Sequence, residues 1–374
     1  MTRFCTIPMA VAALATAAAA QNLGATFLNT VDGFLEVPYS PAVVPQSGIT
    51  FEAWITYDDA TLPTGWRYPT IMRQGNSGGG SENMFLRVDA HNSGNRVLTW
   101  KVVTATSQVN VSWPFAAGQL LAWTHIACTY DGAASTMFVN GVPVASAAGI
   151  GAPIRDANTQ TLRIGKGDDI GTPMEVWNGS IDEVRLWPFA RTQAEIQATM
   201  NQQLAGVPGR VSTWNLDGHA FDTSGGQHAA VNGTVAWTTN PLVLAAPAAP
   251  TAIGTSTAGC LGAMALAPTC MAQANAPFAW ACTRTPAGAI GVFGVSLGTL
   301  PQPIPVLGID VWIDPTVLAT ATGIADGLGT MRLSFPIPAG IPAGVSFAAQ
   351  TVVLDPCGAQ GFTASDAMSV VVVP

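Results

Sequence analysis

From residue 22 to about 244, apolar and polar positions alternate in short runs broken by Gly, Asn, Asp and Ser, the pattern of β-strands with one buried face. The clearest run covers residues 49 to 57, where Ile49, Phe51, Ala53, Ile55 and Tyr57 alternate with Thr50, Glu52, Trp54 and Thr56. That alternation predicts a strand with its odd positions turned to a core. FLEVP, NMFLRVD, RVLTWKVVT, VNVSWPF, LRIG, VSTWNL and AAVNGTVAW read as further strands. WTHIACTYDG and STMFVNGVPVAS follow one another closely, with Asn140-Gly141 between Phe138-Val139 and Val142-Pro143-Val144. Both central residues of a type I′ hairpin turn need φ > 0, which Asn and Gly tolerate best.

One helix is predicted within this array. In the stretch 178 to 200, a strand is followed by Thr192 and Glu195 at capping-box spacing. Ile196, Met200 and Leu204 then recur at helical spacing, and Gly206 stands where the helix can stop. On the strand, strict alternation puts Asp182 with Val184 and Leu186 on one face, and Ile181, Glu183, Arg185 and Trp187 on the other. A carboxylate among aliphatic side chains needs a partner: backbone amides, a buried Arg or a metal ion.

Beyond AAPAAP at 245 to 250, a linker-like segment, the chain changes character. Residues 251 to 374 are almost uncharged and rich in Gly, Pro and Thr, with apolar strands such as IGVFGVSL, GIDVWI and VSFAAQTVVL. This predicts two domains, 21 to 244 and 251 to 374, the second a smaller β-sandwich. Cys260, Cys270, Cys282 and Cys357 fall in it, which suggests two disulfides with three connectivities open. A zinc site is the rival, although no C-x-x-C pair occurs. Cys128 reads as a buried thiol in a strand.

Residues 1 to 20 carry one Arg, an apolar run and Ala18-Ala19-Ala20, which reads as a signal peptide cleaved near Ala20. A secreted or surface-exposed product in an oxidising compartment is expected. Only 10% of the residues are charged and the formal net charge is -8. Fourteen scattered Lys and Arg argue against a nucleic-acid partner. No stretch after residue 20 reaches the roughly 18 apolar residues of a spanning helix.

The landmarks then combine. Phe51-Glu52-Ala53-Trp54, Trp123-Thr124-His125-Ile126-Ala127 with Tyr130-Asp131-Gly132, Phe138-Val139-Asn140-Gly141-Val142, and residues 179 to 187 with their capped helix occur in order. Together they resemble the LamG-like jelly roll of the concanavalin A-like lectin and glucanase group. The ending, FAAQTVVLDP followed by SDAMSVVVV, is similar to a C-terminal module of secreted bacterial proteins. The resemblance implies an all-β jelly-roll sandwich with one short helix, followed by the second sandwich. It also implies a carbohydrate-binding or cell-adhesion role, and a calcium ion in some members.

Four chemistries have candidate residues in the chain. For calcium, Asp32, Asp182 and Asp222 are the candidate ligands, with local backbone capping as the simpler role for Asp32 and Asp182. Asp168 and Asp169 read as a solvated loop tip. For sugar contact, Trp66, Tyr68 and Trp177 lie in loop-like segments, whereas Trp54, Trp123, Trp187 and Trp214 read as packing. Gly75-Asn76-Ser77-Gly78-Gly79 fits G-x-S-x-G, but no strand-to-helix elbow surrounds it. A retaining glucanase needs two carboxylates on one face of a strand, and Asp182-Glu183 alternate across it. The expected function is therefore a secreted, non-catalytic binding protein for glycans or extracellular polymer. The alternative is a structural matrix component that engages protein partners, and a glycan-active enzyme is the weakest option.

Overall fold

The computed structural model describes residues 22–60, 67–76, 80–89, 94–156, 159–168, 174–204, 212–223, 226–242, 250–270, 272–275 and 277–372. The expected leader, Trp66, the Ser77 loop, Asp169, Gly206 and most of the linker lie outside those residues.

The first domain opens with β1 (Leu23–Phe27), β2 (Gly33–Val37), β3 (Ile49–Ile55), β4 (Thr70–Gln74) and β5 (Met84–Asp89). It continues with β6 (Val97–Val103), β7 (Gln108–Pro114), β8 (Thr124–Tyr130), β9 (Ala134–Val139) and β10 (Val142–Ala148). β11 (Leu162–Ile164), β12 (Gly179–Trp187), helix α1 (Gln193–Thr199), β13 (Ser212–Trp214), β14 (Ala230–Gly233) and β15 (Ala236–Thr239) complete it. Sheet A runs β10-β9-β8-β3-β12-β1-β15, with β13 beside β12, and sheet B runs β14-β2-β11-β4-β5-β6-β7. Their facing sides bury one core that includes Phe51, Ile55, Trp100, Ile126, Ile164 and Trp214. This is the expected jelly roll.

The second domain consists of β16 (Thr251–Ile253), β17 (Ala258–Gly259), β18 (Gly262–Ala263), β19 (Ala265–Pro268), β20 (Pro277–Thr283), β21 (Ile290–Ser296) and β22 (Thr299–Val306). β23 (Ile309–Ile313), β24 (Leu318–Ile324), β25 (Met331–Pro336), β26 (Ser346–Ala359), β27 (Phe362–Ala364) and β28 (Ala367–Val371) follow. Sheet C, β16-β28-β26-β21-β24 with β27 on β26, packs over sheet D, β19-β20-β25. Trp280, Phe278, Phe293 and Met368 fill the space between them.

The local signals fold as their chemistry dictates. Asn140 and Gly141 take φ of 49° and 73°, and the β9–β10 hairpin closes on them. At α1 the Thr192 hydroxyl accepts from Glu195 N while the Glu195 carboxylate accepts from Thr192 N. The helix is shorter than its apolar spacing predicts, with Met200 as its C-cap.

Two expectations are corrected, the faces of β12 and the second disulfide, and β3 is buried on both sides. A β-bulge interrupts the β12–β3 register between Asp182 and Arg185, and Glu183 takes φ of 49°. The bulge adds a residue and shifts the alternation. Ile181 then pairs with Ile55 and joins Val184 and Leu186 in the core, while Asp182 pairs with Trp54 on the side facing away from it. The even positions of β3 are also buried, because α1 and the second domain cover the outward side of sheet A: Thr50 and Glu52 are 0% exposed and Trp54 is 6%. Finally, Cys260 and Cys357 form a disulfide, but Cys270 and Cys282 remain thiols inside the second core. Leu266, not Cys270, lies opposite Cys282, and Thr269 N donates to Ala279 O. Cys270 thus enters the core at the other end of that strand pair. Cys128 is the buried thiol expected of it.

Candidate functional site

The outward side of sheet B carries a connected set of charged and polar side chains, open to solvent at its β5–β7 end. The register explains why they meet. Glu36 of β2 stands opposite Arg163 of β11, which stands opposite Arg73 of β4. Arg73 is opposite Phe85 of β5, Phe85 opposite Lys101 of β6, and Lys101 opposite Asn110 of β7. One row therefore crosses six strands. A second row beside it places Arg87 opposite Thr99 and Thr99 opposite Ser112, with 3.0 Å between the two hydroxyls.

Rings support the cations in these rows. The Arg87 guanidinium lies 4.2 Å from the Phe85 ring centre and 4.5 Å from that of Tyr68. Lys101 Nζ and the Arg73 guanidinium each lie 5.5 Å from the Phe85 centre. Lys166 Nζ and the Arg163 guanidinium approach Phe34 at 5.4 and 5.7 Å. Carboxylates fix the cations from the side. Glu82 Oε1 is 2.7 Å from Arg73 and its Oε2 is 2.6 Å from Lys101. Asp168 Oδ2 is 3.3 Å from Arg73, Asp89 pairs with Arg87 at 2.7 Å, and Glu36 pairs with Arg163 at 3.3 Å. Asp168 is therefore part of this network and not a bare loop tip. Charge is nearly balanced across the face, so it offers oriented donors and acceptors instead of a field of one sign.

Arg73 is buried, whereas Arg87, Lys101 and Tyr68 are half-buried and Asn110 and Ser112 are exposed. Ligand access is thus greatest over β5, β6 and β7. The sequence held a signal for this face: TIMRQ, FLRVD, LTWKVV and LRI each carry one cation at a polar position of a predicted strand. Their shared row depends on strand order, which alternation does not supply.

The predicted site residues fare differently. Tyr68 lies at the edge of the face with one side of its ring under Arg87. Trp177 does not contact solvent: it is 0% exposed, stacks on Tyr57 at 4.4 Å, and donates from Nε1 to Thr56 O at 2.9 Å. Its loop turns back into the core, so it serves packing and not ligand contact. Trp54, Trp187 and Trp214 are buried, as expected of packing residues.

Asp32, Asp182 and Asp222 are not brought together: among the described residues they form no cluster of ligand-type oxygens. Asp32 ion-pairs with Lys166. Asp182 accepts from Glu183 N at 2.8 Å and from Asn240 Nδ2 at 2.5 Å. Burial, with Glu183 beside it, raises its carboxyl to about 8. Asp222 accepts from Thr213 N and Gln227 N at 3.0 and 2.9 Å. Carboxylates so engaged do not fit calcium, which takes six to eight oxygens turned toward it. The cluster of ligand-type side chains that does occur, Cys260, Asp355 and Cys357, has both sulfurs joined in the disulfide.

On the opposite side of the jelly roll, under α1, lies a charge cluster closed to solvent. Glu52 contacts Arg191, Arg185 at 3.7 Å and His125 at 3.5 Å. Arg191 also stacks on Trp187 at 4.1 Å and donates to Thr269 O of the second domain. With every member buried, the cluster braces α1 and the domain junction and is out of reach of a substrate. The bulge brings Asp182 and Glu183 to this side as well, where both are buried, at 0% and 1% exposure.

Residues 29–197 match the laminin G family model described as the concanavalin A-like lectin/glucanases superfamily. That segment is a LamG-like jelly roll, as its landmarks imply. Among solved structures, a candidate carbohydrate binding protein from Bacteroides ovatus ATCC 8483 is 21% identical with a TM-score of 0.46, over 61% of this chain and 62% of its own. The heptameric SAP-like pentraxin of Limulus polyphemus is 17% identical with a TM-score of 0.42, over 60% of this chain and 99% of its own. Domains LG4-5 of the mouse laminin alpha1 chain are 13% identical with a TM-score of 0.35, over 98% of this chain and 87% of theirs. This chain thus spans under two thirds of the length of the Bacteroides protein. No curated protein matches the chain.

Proposed function

We propose that the first domain is a non-catalytic glycan-binding module of an exported protein, and that it reads its ligand across the outward side of sheet B. The observation that carries this reading is the row from Glu36 to Asn110, in which ring-supported cations and the Asn110 amide lie in register across six strands. Sugars present apolar ring faces and arrays of hydroxyls. A surface of fixed N–H donors, hydroxyls and one partly open ring, Tyr68, complements both. Catalysis finds no support there. Both oxygens of Glu82 are held by cations, and the Asp182–Glu183 pair is buried, whereas glycoside cleavage needs two carboxyls flanking a bound sugar.

A glycan array followed by calorimetry on the full chain tests the proposal. Arg87→Ala and Lys101→Ala should each weaken binding by about 10-fold, while Gln193→Ala on the opposite side leaves it unchanged. Chelator should also leave binding unchanged, since the expected calcium ligands are committed elsewhere. Silence across the array, or full affinity in both substituted proteins, would overturn the reading.

A further inference from the structure

Most sheet edges in this molecule are guarded against pairing with another chain, in the ways edge strands usually are. β10 carries Pro143 and a bulge, and β7 ends on Pro114 and lies against β10. β19 contains Pro268, β25 contains Arg332 and Pro336, and β22 has prolines at 301, 303 and 305. β14, β15 and β16 are only three or four residues long.

β24 is the exception among the described residues. It forms one edge of sheet C and pairs with β21 alone. Its seven residues, LATATGI, contain no proline and no charge, and its register with β21 runs unbroken from Ile324↔Ile290 to Leu318↔Ser296. The backbone groups on its outer side are therefore a ready template for another strand. The exposed side of the sheet beside it is apolar. Ile324 is 70% exposed and its partner Ile290 54%. One step beyond Gly291↔Val353, the β21–β26 register brings Leu354, 51% exposed, next to Ile290. Val292, 39% exposed, lies opposite Thr322.

The sequence of the strand identifies the occupant. LATATGI reads nearly the same from either end about Ala321. In an antiparallel pairing of β24 with its own copy about a two-fold axis through Ala321, Thr320 meets Thr322, Ala319 meets Gly323, and position 318 meets Ile324. Each position then faces a residue of its own kind, and cross-strand Thr–Thr pairs are favourable. Charge points the same way. A chain of net charge -8 repels its copy over most of its surface, while this strand and the aliphatic row beside it carry no charge.

We propose that β24 is the seat of a homodimer, in which two copies of sheet C join edge to edge through an isologous β24–β24 pairing. The Ile324, Ile290 and Leu354 row of each copy then ends against position 318 of the other, so one such row lies at either end of the pairing on the same face of the joined sheet. An isologous contact of this kind closes at two copies.

Analytical ultracentrifugation of the full chain is the test. The parent should sediment as a closed dimer with a Kd of about 10 µM or tighter. In Thr320→Lys/Thr322→Lys, ammonium groups face each other across the pairing, and association should weaken by at least about 10-fold. In Thr320→Lys/Thr322→Glu, each Lys faces a Glu of the other copy, and the dimer should return. Both double substitutions put two charges on the same exposed positions, so an effect on folding would move them together. A parent that stays monomeric, an open series of larger assemblies, or equal behaviour of the two substituted proteins would overturn the proposal.

Discussion

Glu52 and Asp182 are both buried carboxyls on the outward side of sheet A, yet their surroundings drive them in opposite directions. Burial pushes Glu52 up, but Arg191, His125 and Arg185 more than offset it and hold the carboxyl down at about 2. Its contribution to stability is therefore present above its unfolded value near 4.5 and lost as the pH falls from there toward 2. Asp182 is raised by burial and by Glu183 to about 8, and Glu183 is raised by burial to about 7. The stabilisation from those two is complete below about pH 4 and is lost as the pH rises through 7 to 8. Glu52→Gln leaves the buried Arg191 guanidinium without its anion and takes one of two carboxylates from Arg185. It should cost about 3–5 kcal/mol, read from urea unfolding of the full chain. Asp182→Asn keeps an acceptor for Glu183 N but removes the titrating charge. Its melting temperature should fall less than that of the parent between about pH 6 and 9, and parallel curves would mean that Asp182 does not set the alkaline limb.

At the level of elements, legibility follows how local the determinants are. The capping box, the Asn140-Gly141 turn and the buried face of β3 are set by residues within a few positions of each other, and all three were visible in the chain. α1 spans only seven residues, too few to hold a helix without help, so its cap should carry measurable weight. Thr192→Ala is expected to lower stability by about 1 kcal/mol, read from thermal melts. Trp54 Nε1, which donates to Met200 O at 2.6 Å, holds the other end of the helix. What escaped the sequence depends on distant partners. Alternation in β3 accounts for the burial of its odd side alone, and what covers its even side is α1, some 140 residues later. The bulge in β12 flips Asp182 by one step, and no residue type announces it. Trp177 sits among loop-forming residues, and only the fold shows that its ring returns to Tyr57. Likewise, the cations of β4, β5, β6 and β11 look scattered along the chain and become one face only through the strand order of sheet B.

Across the whole molecule, the two sandwiches are held together by more than the segment that joins them. Arg332 pairs with Glu195 at 2.7 Å, Arg191 donates to Thr269 O, and Thr330 Oγ1 donates to Ser47 O at 2.7 Å. Trp187, Phe189 and Leu204 of the first domain belong to the core of the second. Leu328 returns the exchange by packing into the first core against Gly132, where an added Cβ would meet its side chain at 3.0 Å. Side chains shared in both directions should make unfolding of one sandwich expose apolar surface of the other. The disulfide gives a way to test this coupling. Cys260–Cys357 closes 97 residues of the second domain alone, and opening a loop of that size costs about 4–5 kcal/mol in the chain-entropy model. Calorimetry with and without reductant should show a single transition that moves down as a unit, although no disulfide lies in the first domain. Two peaks, of which only one responds to reductant, would mean that the interface does not couple the domains. Arg332→Ala, which removes the pair with Glu195, should broaden or split the transition if that contact carries part of the coupling.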